Sequence, residues 1–372
     1  MNRAISLYLD LVRFLAALVV FFVHANYDRF TSNLPLVWRL KDFGNDAVMV
    51  FFVLSGFVIA YVTDLREKTP REYFVNRLAR LYSVAVPALL FTVGIDHLGA
   101  YLAPEAYNGW WFQSDQPIWR FASNLLFVNE WWFNSVRPFS NGPFWSLGYE
   151  FWYYAIFAAA CFLKRPMKFV VIGIICLLIG PKIMLLLPVW LLGVQVYHVI
   201  KKQFVSESLG WFLFVGSVML YILFRIKAYP DAIYQYMLAG LGIVTMQDYL
   251  RWSQDFPSSY IIGILVAMHF VGAAAIAPRF ERIIDVCEKP IRYLAGYSFA
   301  LYLFHYPLLQ FLGAMTSGFA NESLRNAIVI FGSLAVIWLM GGITEGRKED
   351  WRRWLRMLFD FLSGKKLRKS KI

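Results

Sequence analysis

Arg13 and His24 lie in one apolar run, residues 5–25. Eleven helical steps of about 100° turn the second side chain to within roughly 20° of the first, about 16 Å further along the axis. Ionisable groups on one face of a membrane helix are costly unless they meet protein, water or a ligand. Histidine exchanges protons near neutrality, so His24 suits a general base acting on a hydroxyl. Asp10 stands one turn before Arg13 and can pair with it. A structural ion pair is the plain alternative for every such charge in this chain. His24 needs a partner to orient its ring. Glu150, about two turns into the run that starts at Phe144, is expected near the depth of His24 and can stabilise the protonated imidazole. Asp28 and Asp46 compete for that part. His305 falls near the middle of a later run, where it orients a substrate or packs helices, and Pro307 beside it frees a backbone carbonyl.

A second cluster sits near the opposite end. Arg77 and Arg80, at i and i+3, share a helical face, and two planar donor forks there can hold phosphate oxygens. Anchoring by positive charge at the cytoplasmic surface explains the same residues. Ser55-Gly56, inside the run 46–63, permits close helix contact or backbone approach by a ligand.

These residues need a scaffold, and composition limits its kind. Of 372 residues, 59% are hydrophobic and 16% charged, with mean hydropathy +0.52. A soluble domain carries about 25% charge. The chain therefore reads as an all-α polytopic membrane protein. Apolar runs near 5–25, 46–63, 81–95, 144–163, 208–224, 231–247, 258–277, 297–315 and 324–342 are expected to span. Residues 169–199, broken by Pro181, Lys182 and Pro188, form a kinked span, two short spans or a re-entrant piece. One net crossing there gives about ten helices and puts both termini in the cytoplasm. It also puts Arg66, Lys68, Arg71, Lys164, Arg165, Lys168, Arg279, Arg282, Lys289 and Arg292 on that side. Residues 1–346 make the membrane domain. Residues 347–372, with Trp351, Trp354, Leu355 and Phe359 among basic residues that include Lys365, Lys366, Arg368, Lys369 and Lys371, make an amphipathic tail on the inner membrane surface. Residues 96–143 carry Trp110, Trp111, Trp119, Trp131 and Trp132 and are expected to cap an outward cavity. The formal charge is +12, but it gathers in short loops and the tail, which argues against a nucleic-acid partner. Cys161, Cys176 and Cys287 have neither disulfide nor metal spacing.

Taken in order, the strings of this chain resemble the membrane acyltransferase 3 family, bacterial integral-membrane enzymes that modify sugars, polysaccharides and some antibiotics. The family's Arg-x10-His pattern falls on Arg13 and His24, its phenylalanine-rich segment on Phe51 to Phe57, and its basic motif on Arg77 and Arg80. Trp145 to Glu150 match its WSLxxE string, and Ser298 to Pro307 its SxxLYLxHxP string. The chain departs at Phe151-Trp152-Tyr153-Tyr154, where many relatives have a second Glu and a Phe-Tyr pair. Some relatives carry a hydrolase-like domain after the last helix; here a single membrane module is expected to do the whole job. The resemblance implies transfer of an acyl group, usually acetyl, from acyl-coenzyme A to a saccharide hydroxyl at the outer side of the bacterial cytoplasmic membrane, with no metal. Arg77 and Arg80 would hold the nucleotide phosphates, Arg13 the pantetheine arm, and His24 with Glu150 the chemistry, by direct attack or through an acyl-imidazole. Trp145, Ser146, Tyr302 and His305 would orient the acceptor or donate to an oxyanion.

Other classes make different demands. A transporter or flippase of a lipid-linked or anionic saccharide would share the spans and aromatic cavity. It has no need of a phosphate-binding pair at one face and a histidine near the other. A haem or quinone oxidoreductase needs paired histidines at matching depths, a spacing this chain does not repeat. A receptor or scaffold leaves His24 and Glu150 without a reason.

Overall fold

The structure, a computed structural model, describes residues 3–32, 34, 40 and 42–362, the side chains of 281–285 excepted. Lys365, Lys366, Arg368, Lys369, Lys371 and the side chain of Arg282 therefore lie outside the described residues. Within them all regular structure is helical, and seven segments are long and apolar enough to cross a bilayer.

The first three helices are α1 (Arg3–Ala25), α2 (Gly44–Leu65) and α3 (Pro70–Leu102). Thr69 caps α3 by accepting from the Glu72 amide at 3.2 Å, and Pro70 fills the first helical position, where no N–H is needed. At 33 residues α3 runs about 50 Å, longer than the roughly 30 Å of hydrocarbon. Its first turns therefore extend past the predicted span 81–95 and carry Arg77 and Arg80. The chain continues through α4 (Pro117–Leu125), α5 (Trp145–Phe162), α6 (Met167–Ile179), α7 (Pro181–Lys202), α8 (Glu207–Ile226), α9 (Tyr229–Val244) and α10 (Phe256–Ile276). It closes with α11 (Glu281–Gly296), α12 (Ser298–Met315), α13 (Glu322–Ala327), α14 (Ser333–Thr344) and α15 (Lys348–Leu362).

Contacts between helix ends trace the path. Lys201, ending α7, pairs with Asp64, ending α2, at 2.7 Å. Arg279, after α10, pairs with Glu207, starting α8, at 2.7 Å. Arg71 of α3 pairs with Asp360 of α15 at 2.7 Å. These ends share one face, the basic face. At the opposite, tryptophan-bearing face, Arg225 of α8 pairs with Asp46 of α2 at 2.5 Å, Asn45 donates to Ser259 of α10 at 3.4 Å, and the Trp132 amide donates to the Ile179 carbonyl of α6 at 3.0 Å.

Two expectations are corrected by this path. Residues 169–199 form two helices, one of the three forms expected, in place of the single net passage counted for them: α6 rises to the tryptophan face, Gly180 turns the chain with φ +78°, and α7 returns. Only glycine suits that turn, because Trp132 Cα lies 2.9 Å from where a Cβ would stand. Conversely, α8 ends and α10 begins at the tryptophan face, so 231–247 does not cross.

The long connection 103–144 is a built cap. Asp96 accepts from the amide and hydroxyl of Ser140, both at 2.9 Å, and Asn124 donates to the Val136 carbonyl at 2.8 Å. Buried Lys182 pairs with buried Glu130 at 2.8 Å, tying the cap to α7. At the basic face α15 is amphipathic as expected, yet it packs on protein: Leu355 is buried against Val75 and Ala79 of α3.

Helices α2 and α7 touch backbone to backbone. A Cβ added to Gly56 would stand 2.0 Å from the Trp190 carbonyl oxygen, and one on Gly193 would stand 1.9 Å from that of Val53. Gly56→Val is expected to destabilise the protein by about 1–3 kcal/mol or more, read as a lower midpoint of thermal unfolding in detergent. For the path, Lys227→Cys and Gln254→Cys are expected to react with a membrane-impermeant maleimide from the same side of the membrane. Labelling from opposite sides would make 229–253 a crossing.

Candidate active site

A cavity opens among α1, α2, α3, α5 and α12. Its basic end is lined by Arg13, Arg77 and Arg80, its waist by Ser55, Glu150 and Tyr154, and its far end by Ser146, Tyr302 and Phe51. Five predicted strings from five helices thus meet around one space.

The three arginines are not equivalent. Arg77 is nearly buried and pairs with buried Glu67 at 2.5 Å, a bond that Asn76 reinforces at 2.9 Å. Its guanidinium also lies 5.6 Å from the Tyr73 ring centre. The expectation of two free forks is therefore corrected: one nitrogen of Arg77 is already committed to a carboxylate. Arg13 pairs with Asp10 at 2.9 Å, the plain alternative weighed for it, and also donates to the Ala295 carbonyl at 3.2 Å. Even so, the Nε atoms of Arg13 and Arg77 are buried without a hydrogen-bond partner among the described residues. Arg80 makes no ion pair among them. Lys348, beyond α14, is pushed down to about 8 by burial, then by the charges of Arg80, Arg352 and Arg77, against the opposing pull of the Glu345 carboxylate. Buried donors without acceptors, beside a lysine that sheds its proton easily, mark a place that favours an anion.

At the waist, Glu150 accepts from Ser55 Oγ at 2.5 Å and from the Tyr154 hydroxyl, and Trp190 Nε1 donates to Ser55 at 3.1 Å. Glu150 does not orient His24. Tyr302 donates to the Pro143 carbonyl at 3.1 Å and Asn141 donates to the Leu303 carbonyl at 2.9 Å. The start of α5 is therefore level with Tyr302 and Leu303, and Glu150 lies further toward the basic face than His305. Asp46 is occupied by Arg225 and by Tyr221 at 2.6 Å, and Asp28 is exposed.

The partner of His24 is His305: His24 Nδ1 lies 2.9 Å from His305 Nε2, with ring centres 5.1 Å apart. The chemistry of the contacts assigns the protons. His305 Nδ1 lies 3.0 Å from the Leu301 carbonyl, which can only accept, so Nδ1 carries the hydrogen. In the neutral ring Nε2 then accepts, His24 Nδ1 donates to it, and His24 Nε2 keeps its lone pair. Pro307 contributes as expected: it cannot donate to Leu303, and the carbonyl so released is the one Asn141 holds.

His24 does not line the cavity. Tyr302 forms the wall between: its hydroxyl lies 2.8 Å from Ser146 Oγ, and its ring is 6.2 Å from His305 and 5.5 Å from Phe51. Trp145 is buried and stacks on Trp252 at 5.2 Å, which shapes the support of the site.

Several groups escaped the sequence reading. Glu67 was one charge in a basic loop, and its pairing needs the turn between α2 and α3. Tyr154 lay inside an aromatic run. Lys348 belonged to the tail, and the alignment of His305 with His24 needs α12 against α1.

A family model described as an acyltransferase domain matches residues 6–342. An O-acetyl transferase of Shigella phage Sf6 is 22% identical over 347 residues, 88% of this chain and 92% of the relative. The exopolysaccharide production protein ExoZ of Rhizobium meliloti (strain 1021) is 28% identical over 137 residues, 35% of this chain and 38% of the relative. No solved structure matches.

Lys348 supplies a pH test. A polyanion bound at the arginine end would stabilise its protonated form and raise its pKa from about 8. On binding of coenzyme A, Lys348 is therefore expected to take up a fraction of a proton at about pH 8.5 and none at about pH 6, where it is already charged, whatever the ligand's own phosphate contributes. Calorimetry in buffers of different ionisation enthalpy reads this difference, and Lys348→Met should remove it.

Proposed function

The chain belongs to the membrane acyltransferase 3 family, and from that premise we propose that it transfers an acyl group, acetyl first among them, from acyl-coenzyme A to a hydroxyl of a saccharide or polysaccharide at the outer side of the bacterial cytoplasmic membrane. One observation carries this reading: the cavity that begins at three arginines on the basic face ends one aromatic wall away from a histidine with a free nitrogen. The excess of Lys and Arg at the arginine end supports a cytoplasmic basic face. The names of the two relatives support the saccharide acceptor.

The residues divide the work by position. Arg80, Arg13 and the spare nitrogens of Arg77 hold the phosphates of the nucleotide, a role suited to fixed donor forks. The slender arm of the donor occupies the cavity past Ser55 and Glu150, and the thioester supplies the acyl carbon near Tyr302. For the two substrates to meet, the Phe51–Tyr302 wall must part. His24 Nε2 takes the hydroxyl proton of the acceptor while its oxygen attacks the thioester carbon. The C–O bond forms, the C–S bond breaks, and the thiolate receives a proton from His24. His305 acts as the positioning residue: anchored on Leu301, it keeps His24 Nδ1 protonated and Nε2 basic, as the buried partner of a catalytic histidine does elsewhere. Tyr302 and Ser146 are the donors best placed to meet the carbonyl oxygen as charge develops on it.

His24→Ala is expected to lower kcat by about 10²–10⁴-fold while leaving coenzyme A affinity unchanged. His305→Ala should lower kcat by roughly tenfold or more, through loss of the fixed tautomer. The measurement is transfer of labelled acetyl from acetyl-coenzyme A to envelope saccharide by the purified protein in nanodiscs. Undiminished transfer by His24→Ala would falsify the assignment.

A further inference from the structure

Just beyond His24, at the tryptophan face, lie two more arginines that the transfer chemistry does not use. Arg29 donates to the Tyr306 hydroxyl and to Gln310 Oε1, the latter at 3.3 Å. Its guanidinium carbon is 4.5 Å from the ring centre of buried Phe30 and 5.0 Å from that of Trp111. Arg137 donates to the Trp111 carbonyl at 2.9 Å and lies 5.3 Å from the centre of the Trp110 ring. Trp111 thus touches both cations, its ring against one and its carbonyl against the other.

Neither arginine forms an ion pair among the described residues. Asp28, beside Arg29 in the chain, is exposed, and Asp115 of the same cap is taken by Arg120 at 2.6 Å. Burial and the neighbouring charges of Arg29 and Arg251 push the Arg137 guanidinium below its ordinary value, with only Tyr306 and Tyr27 acting the other way. Two like charges held this close with no carboxylate are unfavourable until an anion arrives.

Their place decides what kind of anion. Tyr306 bridges the two functions: its ring centre is 5.0 Å from that of His24 and its hydroxyl accepts from Arg29. One tyrosine ring therefore separates a fixed guanidinium from the imidazole. Arg29 is drawn inward onto Gln310 and Tyr306, unlike a side chain reaching outward for a lipid phosphate. The exposed ring of Trp110 (73% accessible) adds an apolar platform next to Arg137. Resting on the transferase reading above, we propose that the acceptor is an anionic saccharide, whose carboxylate, phosphate or sulfate group is bound by Arg29 and Arg137 while a nearby hydroxyl faces His24.

The test uses the purified full chain in phosphatidylcholine nanodiscs and three probes: trigalacturonate, neutral galactotriose and galactose 6-phosphate. Trigalacturonate is expected to bind about tenfold or more tightly than galactotriose, the size of a charged hydrogen bond. Arg29→Gln and Arg137→Gln should each erase most of that advantage, with coenzyme A affinity unchanged as the check on folding. Lysine at either position should restore part of it, because charge returns without the planar fork. A preference shown by galactose 6-phosphate alone would identify the bound charge as phosphate and uphold the proposal. Equal binding of charged and neutral trisaccharide would overturn it, as would a preference that survives both substitutions. So would its disappearance when phosphatidylglycerol is added to the discs, since lipid headgroups would then own the site. Acyl transfer distinguishes the two levels. Equal transfer rates to galactotriose and trigalacturonate defeat the anion site and spare the transferase. Retained charge preference with no transfer to any saccharide does the reverse.

Discussion

Leu301 offers His305 a carbonyl oxygen that can only accept, and from that constraint the protonation of the next imidazole follows. With Nδ1 of His305 committed to the backbone, its other nitrogen must accept, and His24 must donate. The nitrogen of His24 left over is a base without any carboxylate having to sit beside it in a low-dielectric interior, where an unpaired charge is expensive. A neutral orienting partner avoids that cost. The surrounding packing secures the same arrangement, because Pro307, Leu303 and Asn141 pin α12 to the start of α5 and Tyr302 closes the gap to Ser146.

Glu150 is then free for a different part. Held by Ser55 and Tyr154 at the waist of the cavity, it faces the arginine end across a space that an extended ligand can thread. The arginine end itself is under-compensated. Asp10 and Glu67 each neutralise one guanidinium and the carboxylate of Glu345 acts on Arg13, Arg80 and Lys348, yet buried Nε atoms remain and four cations face three carboxylates. The folded chain tolerates this repulsion because helices α1, α3 and α15 are fixed by contacts elsewhere, and an anion relieves it. The arginines at the tryptophan face repeat the theme with aromatic rings in place of carboxylates. Cations thus gather at both faces of the bundle, while the cavity between Arg13 and Tyr302 carries one acidic group, Glu150.

Apolar runs, basic loops and the five strings were legible in the chain because each depends on residues adjacent in sequence. Lipid demands long apolar helices, so the all-helical membrane class could be read from composition and order. The face shared by Arg77 and Arg80, and the carbonyl freed by Pro307, are likewise local consequences of helix geometry. What hydropathy alone misjudged was passage. The run 231–247 is apolar enough to cross, yet the helices on either side of it meet at the same face, whereas 169–199 folds back on itself as two helices. The difference comes from Gly180 turning against Trp132 and from α8 and α10 meeting at the tryptophan face.

Which residues touch was decided only by the tertiary structure. Spacing placed Glu150 near the depth of His24. The register of α5 against α12, set by Asn141 and Tyr302, moved it deeper and brought His305 to the imidazole instead. Glu67 on Arg77 and Arg29 beside Tyr306 came to light in the same way. A sequence states which side chains can accept, donate or carry charge, since that is covalent chemistry. Partners drawn from helices hundreds of residues apart depend on where each helix stops sliding against its neighbour, and that is settled by packing across the whole bundle.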